Sequence, residues 1–224
     1  MAPLHKTKHS SRDTAARILA AAENHFAAEG FTGARTDEIA ASARANKAML
    51  YYYFGDKRKL HRAVLESLLA SLKKVIEDAT DSKIAAPERL DKFLDGYFEF
   101  IAKHPNWPRL VQREAMASTA EFEWMLREFL KPYMQTLGEI LTSGIKAGKF
   151  RPLDTRHAVF SLIGMINFYF IAAHRHPGAL GVDPLSAKSL RERKDALHDL
   201  LMHGLLKSGA SSHGNGHSHT ERGR

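Results

Sequence analysis

The sequence contains no cysteine. That excludes a disulfide framework, thiolate zinc sites and a cysteine nucleophile, and it is compatible with a reducing cytoplasm. It has no run of about 18 apolar residues, so no membrane-spanning helix is expected. The N-terminal stretch MAPLHKTKHSSRD is basic but lacks the apolar segment of a signal peptide, and is not expected to be one. Catalytic signatures are missing too: there is no H-E-x-x-H, no G-x-S-x-G and no E-x-x-H pair for a di-iron bundle. GIKAGK, Gly144–Lys149, has one residue too few between its glycines for a phosphate loop and no Ser or Thr after the lysine. It reads as a helix C-terminus. No enzyme activity, cofactor or metal site is expected.

Acidic residues are scarce at one end. Lys and Arg number 33 against 25 Asp and Glu, a formal charge of +8. Residues 1–62 hold 11 against 6, whereas the remaining 162 hold 22 against 19. The basic excess is therefore concentrated N-terminally, as expected for a nucleic-acid footprint. At 224 residues the chain is long enough for one large domain or two small ones.

What the sequence does have is a dense local pattern over Thr36–Lys57, TDEIAASARANKAMLYYYFGDK. It reads as two short helices joined by a tight turn. Thr36 suits an N-cap, and Asp37 and Glu38 fall in the first turn, where the helix dipole favours anions. Ile39, Ala40 and Ala43 give a narrow apolar face. Arg44-Ala45 makes the turn, and Asn46 suits the next cap. In the second helix Leu50 and Phe54 stand four apart and point inward. Lys47, Ala48, Met49, Tyr51, Tyr52 and Tyr53 ring the other side, with Tyr53 at the border of the core. A phenol offers its ring to a sugar or a thymine methyl and its hydroxyl to a phosphate. Asp56 then suits the cap of a further helix that opens Lys57-Arg58-Lys59. Three cations there oppose the macrodipole, and phosphate binding would explain them. Taken singly, a tyrosine-rich helix also occurs as plain core, and a lysine-rich helix start is usually a solvated face. Their conjunction points to DNA.

The order and spacing of Thr36, Ile39, Ala40, Lys47, Leu50, Tyr51, Tyr53, Phe54 and Lys57 resemble the helix-turn-helix of the TetR/AcrR family of bacterial transcription regulators. The match covers roughly Asp13 to Leu65. Two features depart from it: Arg44 stands where that family has a turn glycine, and Ala48-Met49 replaces the commoner Gly-Thr. The resemblance implies ligand-induced release from DNA and a dimer interface made by the last two long helices. The candidate DNA contacts are Thr36, Tyr51, Tyr53 and Lys57 to phosphates and Lys47, Ala48 and Tyr52 to bases, with Asn46 and Met49 alongside.

The rest of the chain reads as helical. Ser11 to about Glu29 is a first helix with Ile18, Leu19, Ala22 and Phe26 inward and Gly30 as its stop. Asp56 to about Asp78 is one long helix carrying Leu60, Val64, Leu68, Leu72 and Val75 inward. It belongs to both ends of the molecule. Beyond a linker at Thr80–Pro87 come Pro87–Lys103, Trp107–Thr119, Glu121–Gly148 with a break or kink before Pro132, Thr155–His174, and about Pro184–Leu206. Thr155–His174 is apolar nearly all round, so more than one of its sides must be covered. A second copy is the expected cover, through about 155–174 and 184–206, in a four-helix interface of two-fold symmetry. Phe93, Tyr97, Trp107, Arg113, Met116, Met125, Phe129, Phe160, Asn167 and Phe168 are candidates to line a pocket for an apolar or flat aromatic effector. The plainer reading makes most of them core and Arg113-Glu114 a structural ion pair. His213, His217 and His219 lie in a Gly/Ser/His-rich tail expected to be disordered, where metal binding would be weak.

The fold expected is all-α. It comprises a basic arm over 1–11, a three-helix helix-turn-helix DNA-binding domain over 12–62, a helical ligand-binding and dimerisation domain over 63–206, and the tail over 207–224. The function expected is a homodimeric regulator on a double-stranded operator, released by a small molecule. Two alternatives stand beside it. One is a DNA-binding protein without a ligand, in a partner-binding or architectural role. The other is a helical enzyme or small-molecule carrier whose helix-turn-helix pattern is incidental.

Overall fold

The computed structural model describes residues 5–175, 178, 181–183 and 185–206, with side chains described from Arg12 onward except at 174 and 175. The tail carrying His213, His217 and His219 lies outside the described residues. Ten α-helices account for most of the described chain, and the β-structure among these residues is one isolated bridge, Phe150 to Leu206.

α1 (His5–Gly33) starts inside the segment expected to be a free basic arm. Its inward stripe, Ile18, Ala22 and Phe26, is fully buried. Gly30, at φ 75°, kinks the chain where the sequence placed the stop, in a conformation that suits a residue without a Cβ. α2 (Thr36–Ser42) and α3 (Lys47–Phe54) pack on α1, and α4 (Lys57–Ala79) packs on both α1 and α3. Together these form a head. α4 is about 34 Å long at ~1.5 Å per residue. It buries Leu60, Val64, Leu65, Leu68, Leu69 and Leu72, each worth ~2 kcal/mol. That stripe continues from the head into a second layer, so α4 is a shared strut.

The second layer, the body, holds α5 (Ala86–Lys103), α6 (Trp107–Ala117), α7 (Ala120–Met125), α8 (Lys131–Lys146), α9 (Thr155–Arg175) and α10 (Ala187–Leu205). α5 packs between α4, α8 and α10. Pro132 neither breaks nor sharply ends the helix. Instead a π-helical turn, Leu126–Leu130, joins α7 to α8 just ahead of it. Proline donates no backbone hydrogen bond, and a locally wider turn lets the helix run on without one. α8 ends at Lys146, and Gly148 follows at φ 67°, so GIKAGK is a helix end as expected.

α9 buries Val159, Leu162, Ile166 and Phe170 against the body. Phe160, Gly164 and Phe168, four residues apart, form an outward stripe, and both phenylalanines are largely exposed. Leu200 of α10 is also exposed. Contrary to the sequence expectation, Thr155–Ala173 is long and apolar enough, by length and composition, to cross a membrane. Within one chain only 28% of that window is buried, so its apolar excess is the uncovered stripe.

Head and body meet along α1, α4, α6 and α7. Arg113 of α6 donates from Nε to the Ala27 carbonyl (2.9 Å) and from Nη2 to Ala28 (2.6 Å), satisfying carbonyls at the end of the straight part of α1. Asn106 Nδ2 donates to Asn24 Oδ1 at 2.7 Å. His61 of α4 and Glu114 of α6, both buried, stand 3.2 Å apart beneath the rings of Phe26 and Phe31. The Arg62 guanidinium lies 3.1 Å from the centre of the Trp124 ring.

Candidate nucleic-acid interface

The turn between α2 and α3 is a Schellman stop. Ala45 N–H donates to the Ala40 carbonyl (2.9 Å) and Arg44 N–H to Ala41 (3.0 Å), with Arg44 at φ 51°. Arg44 thus adopts the left-handed conformation usually given to glycine, at a cost of about 1 kcal/mol. From α1, Arg17 Nε reaches the Ala43 carbonyl at 3.1 Å and fixes the turn against the core. Asn46 then caps α3, its side chain accepting from Met49 N–H at 3.1 Å. Thr36, in contrast, is not the N-cap of α2. Arg35 holds that position without a side-chain cap bond, and Thr36 is the first helical residue.

Leu50 anchors α3 in the core, and Phe54 and Met49 pack partly against it. Met49, like Tyr53, is half-buried and packs partly against the core. Asn46 is committed to its cap. Lys47, Ala48, Tyr51 and Tyr52 form the exposed face. Tyr52 stands out at 79% exposure, and the Tyr51 hydroxyl lies 3.5 Å from Thr36 Oγ1. Tyr53 is half-buried, edge-on to Tyr52.

The cations are not idle. Lys47 Nζ meets Asp37 at 2.7 Å across the turn. That hydrogen bond holds the Asp37 carboxyl below its ordinary range and the Lys47 ammonium above its own. Lys57 donates to the Thr32 carbonyl (3.3 Å) and stands 4.9 Å over the Phe31 ring. Arg58, expected at a phosphate, pairs with Glu121 of α7 at 2.9 Å, and Lys59 lies near Asp56. Asp56 also caps Lys59 N–H at 2.8 Å. The cationic first turn of α4 is thus offset locally, and one of its charges ties the head to the body.

This geometry agrees with two family matches. Residues 18–64 match the model for bacterial regulatory proteins of the tetR family, and residues 87–201 match the tetracyclin repressor-like C-terminal domain. The chain belongs to the TetR family. It is a DNA-binding transcription regulator. The HTH-type transcriptional repressor NicS of Pseudomonas putida is 30% identical over 194 residues, covering 85% of this chain and 91% of NicS. Among solved structures, the ketosteroid regulator KstR2 of Mycobacterium tuberculosis superposes with a TM-score of 0.70 at 23% identity, over 87% of this chain and 95% of that one. FadR of Bacillus subtilis, solved in complex with stearoyl-CoA, gives 0.64 at 24% identity, over 84% and 98%.

In this TetR-family body the ten pocket candidates scatter. Phe93, Tyr97, Trp107 and Met125 are core. Tyr97 donates to Asn167 Oδ1 (2.9 Å) and accepts from Trp107 Nε1 (3.3 Å), and burial pushes its phenol up to about 12. Asn167 in turn donates to the Ile163 carbonyl at 3.0 Å. Arg113 braces α1. Met116, Phe160 and Phe168 lie on the surface at 80%, 65% and 71% exposure, so none of the three lines an enclosed pocket within the chain. Phe129 alone of the ten borders a cavity between α4 and α8. Tyr133 borders the same cavity. Its sequence signal was only a phenol one position after the proline that forces the π-turn.

Proposed function

We propose that this protein is a repressor. A homodimer presents two α3 helices to successive major grooves of a two-fold operator, about 34–36 Å apart, and a small molecule bound in the body releases it. The observation that carries the reading is the outer row of α3, where Lys47, Ala48, Tyr51 and Tyr52 stand exposed on a helix capped and braced from behind. Thr36, Tyr51, Tyr53 and Lys57 serve phosphates; Lys47, Ala48 and Tyr52 reach base edges. Asn46 and Met49 act by capping and packing. Pairing runs through α9 and α10, a reading supported by the exposed Phe160, Phe168 and Leu200. The work of such a protein is cytoplasmic.

Release is supported by α4, which is packed into both layers, and by the stearoyl-CoA held by the fold relative FadR. A ligand shifts the balance only by binding one arrangement more tightly than the other. Selection of bound fragments from randomised DNA by the purified protein, at near-physiological salt, tests the reading. A palindromic consensus with half-sites about one helical turn apart is expected. Salt-sensitive background binding with no consensus would overturn it.

A further inference from the structure

Two side chains of α1 converge on the end of α2. Arg17 Nε donates to the Ala43 carbonyl at 3.1 Å, and His25 Nε2 stands 3.0 Å from Ser42 Oγ. Ser42 is the last residue of α2 and Ala43 its C-cap, so both contacts fall directly ahead of the Arg44 turn. Arg17 and His25 lie about 12 Å apart along α1, yet they meet adjacent residues, so the end of α2 is gripped from two levels of α1 at once. Each is also held by its own helix. Arg17 Nη1 donates to Asp13 at 2.7 Å and Nη2 to Thr14 at 3.3 Å, while His25 Nδ1 lies 2.9 Å from Glu29 Oε1. Side chains locked in this way fix the position of what they touch. The grip also answers a local need. The N–H groups of Ala43, Arg44 and Ala45 bond back to the carbonyls of Ile39, Ala41 and Ala40. The carbonyl of Ala43 itself lies past the helix end, where the helix offers it no partner, and Arg17 supplies one.

We infer that Arg17 and His25 are positioning residues for sequence preference: acting through Ser42 and Ala43, they set the angle between α2 and α3, and so where Lys47, Ala48 and Tyr52 stand against base edges. This rests on the reading of α3 given above. Arg44 is the reason a clamp is needed. A glycine would rest in the turn without strain, whereas an arginine at φ 51° is strained by about 1 kcal/mol and favours another conformation of the turn. Leu50 holds α3 to the core at one point, which makes a pivot and leaves the angle to the turn. α3 runs over eight residues. A tilt of ~10° at the turn carries the far end of a helix ~12 Å long through ~2 Å. A base-edge hydrogen bond does not survive that shift, because its distance and angle are both narrow. A phosphate contact made by a long lysine follows it. The clamp therefore governs which DNA is preferred and leaves the hold on DNA in general almost unchanged.

Full-chain Arg17→Met and His25→Ala test this, with fluorescence anisotropy on the selected operator and on random DNA across a range of salt. Each variant should lose roughly 5- to 10-fold on the operator and less than about 2-fold on random DNA, with the salt dependence unchanged. Arg17→Lys, which keeps a donor for the Ala43 carbonyl, should recover part of the preference. Asp13→Asn, which leaves the Ala43 bond in place and only loosens the guanidinium, should show a smaller loss in the same direction; it serves as the test if circular dichroism shows Arg17→Met unfolded. An unchanged ratio of operator to random affinity would overturn the inference. So would an equal loss on both DNAs with a salt slope shallower by about one, which would make Arg17 a phosphate contact. Lys47→Ala in parallel separates the two readings. If it alone lowers the ratio, α3 reads bases and the clamp is removed. If neither it nor the clamp variants lower the ratio, the reading of α3 fails and the clamp with it.

Discussion

On the proposed contacts, Lys47 and Lys57 give up different partners to meet DNA. Lys57 donates to the Thr32 carbonyl and lies over the Phe31 ring, whereas Lys47 is paired with Asp37. Lys57→Ala should weaken binding to operator and random DNA by a similar factor, while Lys47→Ala should also blur sequence preference; fluorescence anisotropy on both DNAs reads the difference. Equal loss on both DNAs for both variants would remove Lys47 from the base contacts. Arg44 offers a second check. At φ 51° it carries about 1 kcal/mol of strain that glycine lacks, so Arg44→Gly should raise the melting temperature by about 2–4 °C in a chain of this size. A lower melting temperature would mean that the arginine makes compensating contacts. At this scale the sequence was legible mostly where a residue answers to its own backbone, as at the Asn46 cap, the Gly30 stop and the Arg44 turn, although the cap expected at Thr36 falls one position earlier, at Arg35. It was not legible where the partner is distant in sequence. Arg113 meets α1 across more than eighty positions and Arg58 meets Glu121 across sixty-three, and no local pattern announces either.

The helices came through more clearly than their ends, because burial of a stripe is a property of many residues together. Leu60, Val64, Leu68 and Leu72 fixed α4, and Pro132 marked the irregularity that became the π-turn. Gly144 of α8 tests how tightly these elements fit. A Cβ there would fall on the Phe150 ring, itself fully buried. Gly144→Ala should therefore cost about 1–3 kcal/mol, measured by urea denaturation; no loss would mean that Phe150 has room to move. At the α4–α6 contact, burial pushes the Glu114 carboxyl up, but His61 and the Thr119 hydroxyl outweigh it and hold it below the ordinary glutamate value. A carboxyl lowered in the fold contributes stability that is complete above about pH 4.3 and is lost as pH falls through the folded value. The stability gap between wild type and Glu114→Gln should then narrow on acidification below about pH 4, followed by chemical denaturation across pH. A constant gap would show that the carboxylate charge contributes nothing.

At the scale of the molecule, one chain leaves the Phe160–Phe168 stripe of α9 and Leu200 of α10 open to water. Phe160→Glu with Phe168→Glu should yield a folded monomer by light scattering and circular dichroism. Its operator affinity should fall on the order of 100-fold, because two linked heads bind far better than one. An unchanged dimer would move the interface elsewhere. The periodicity of α9 showed from sequence alone that it needed covering on more than one side, but placing Phe160 and Phe168 inside a pocket misread which side was which. Ionic strength brings out a consequence of the Lys47–Asp37 pair. Grip on DNA depends on phosphates neutralised, each releasing about one counterion, and on the proposed contacts Lys57 is one of those cations. Lys47, proposed to reach a base, would leave its pairing with Asp37 for another neutralised setting and so add little to that count. A cell under osmotic stress would thus loosen this protein from all of its DNA at once, while the order in which it prefers its operators stays the same.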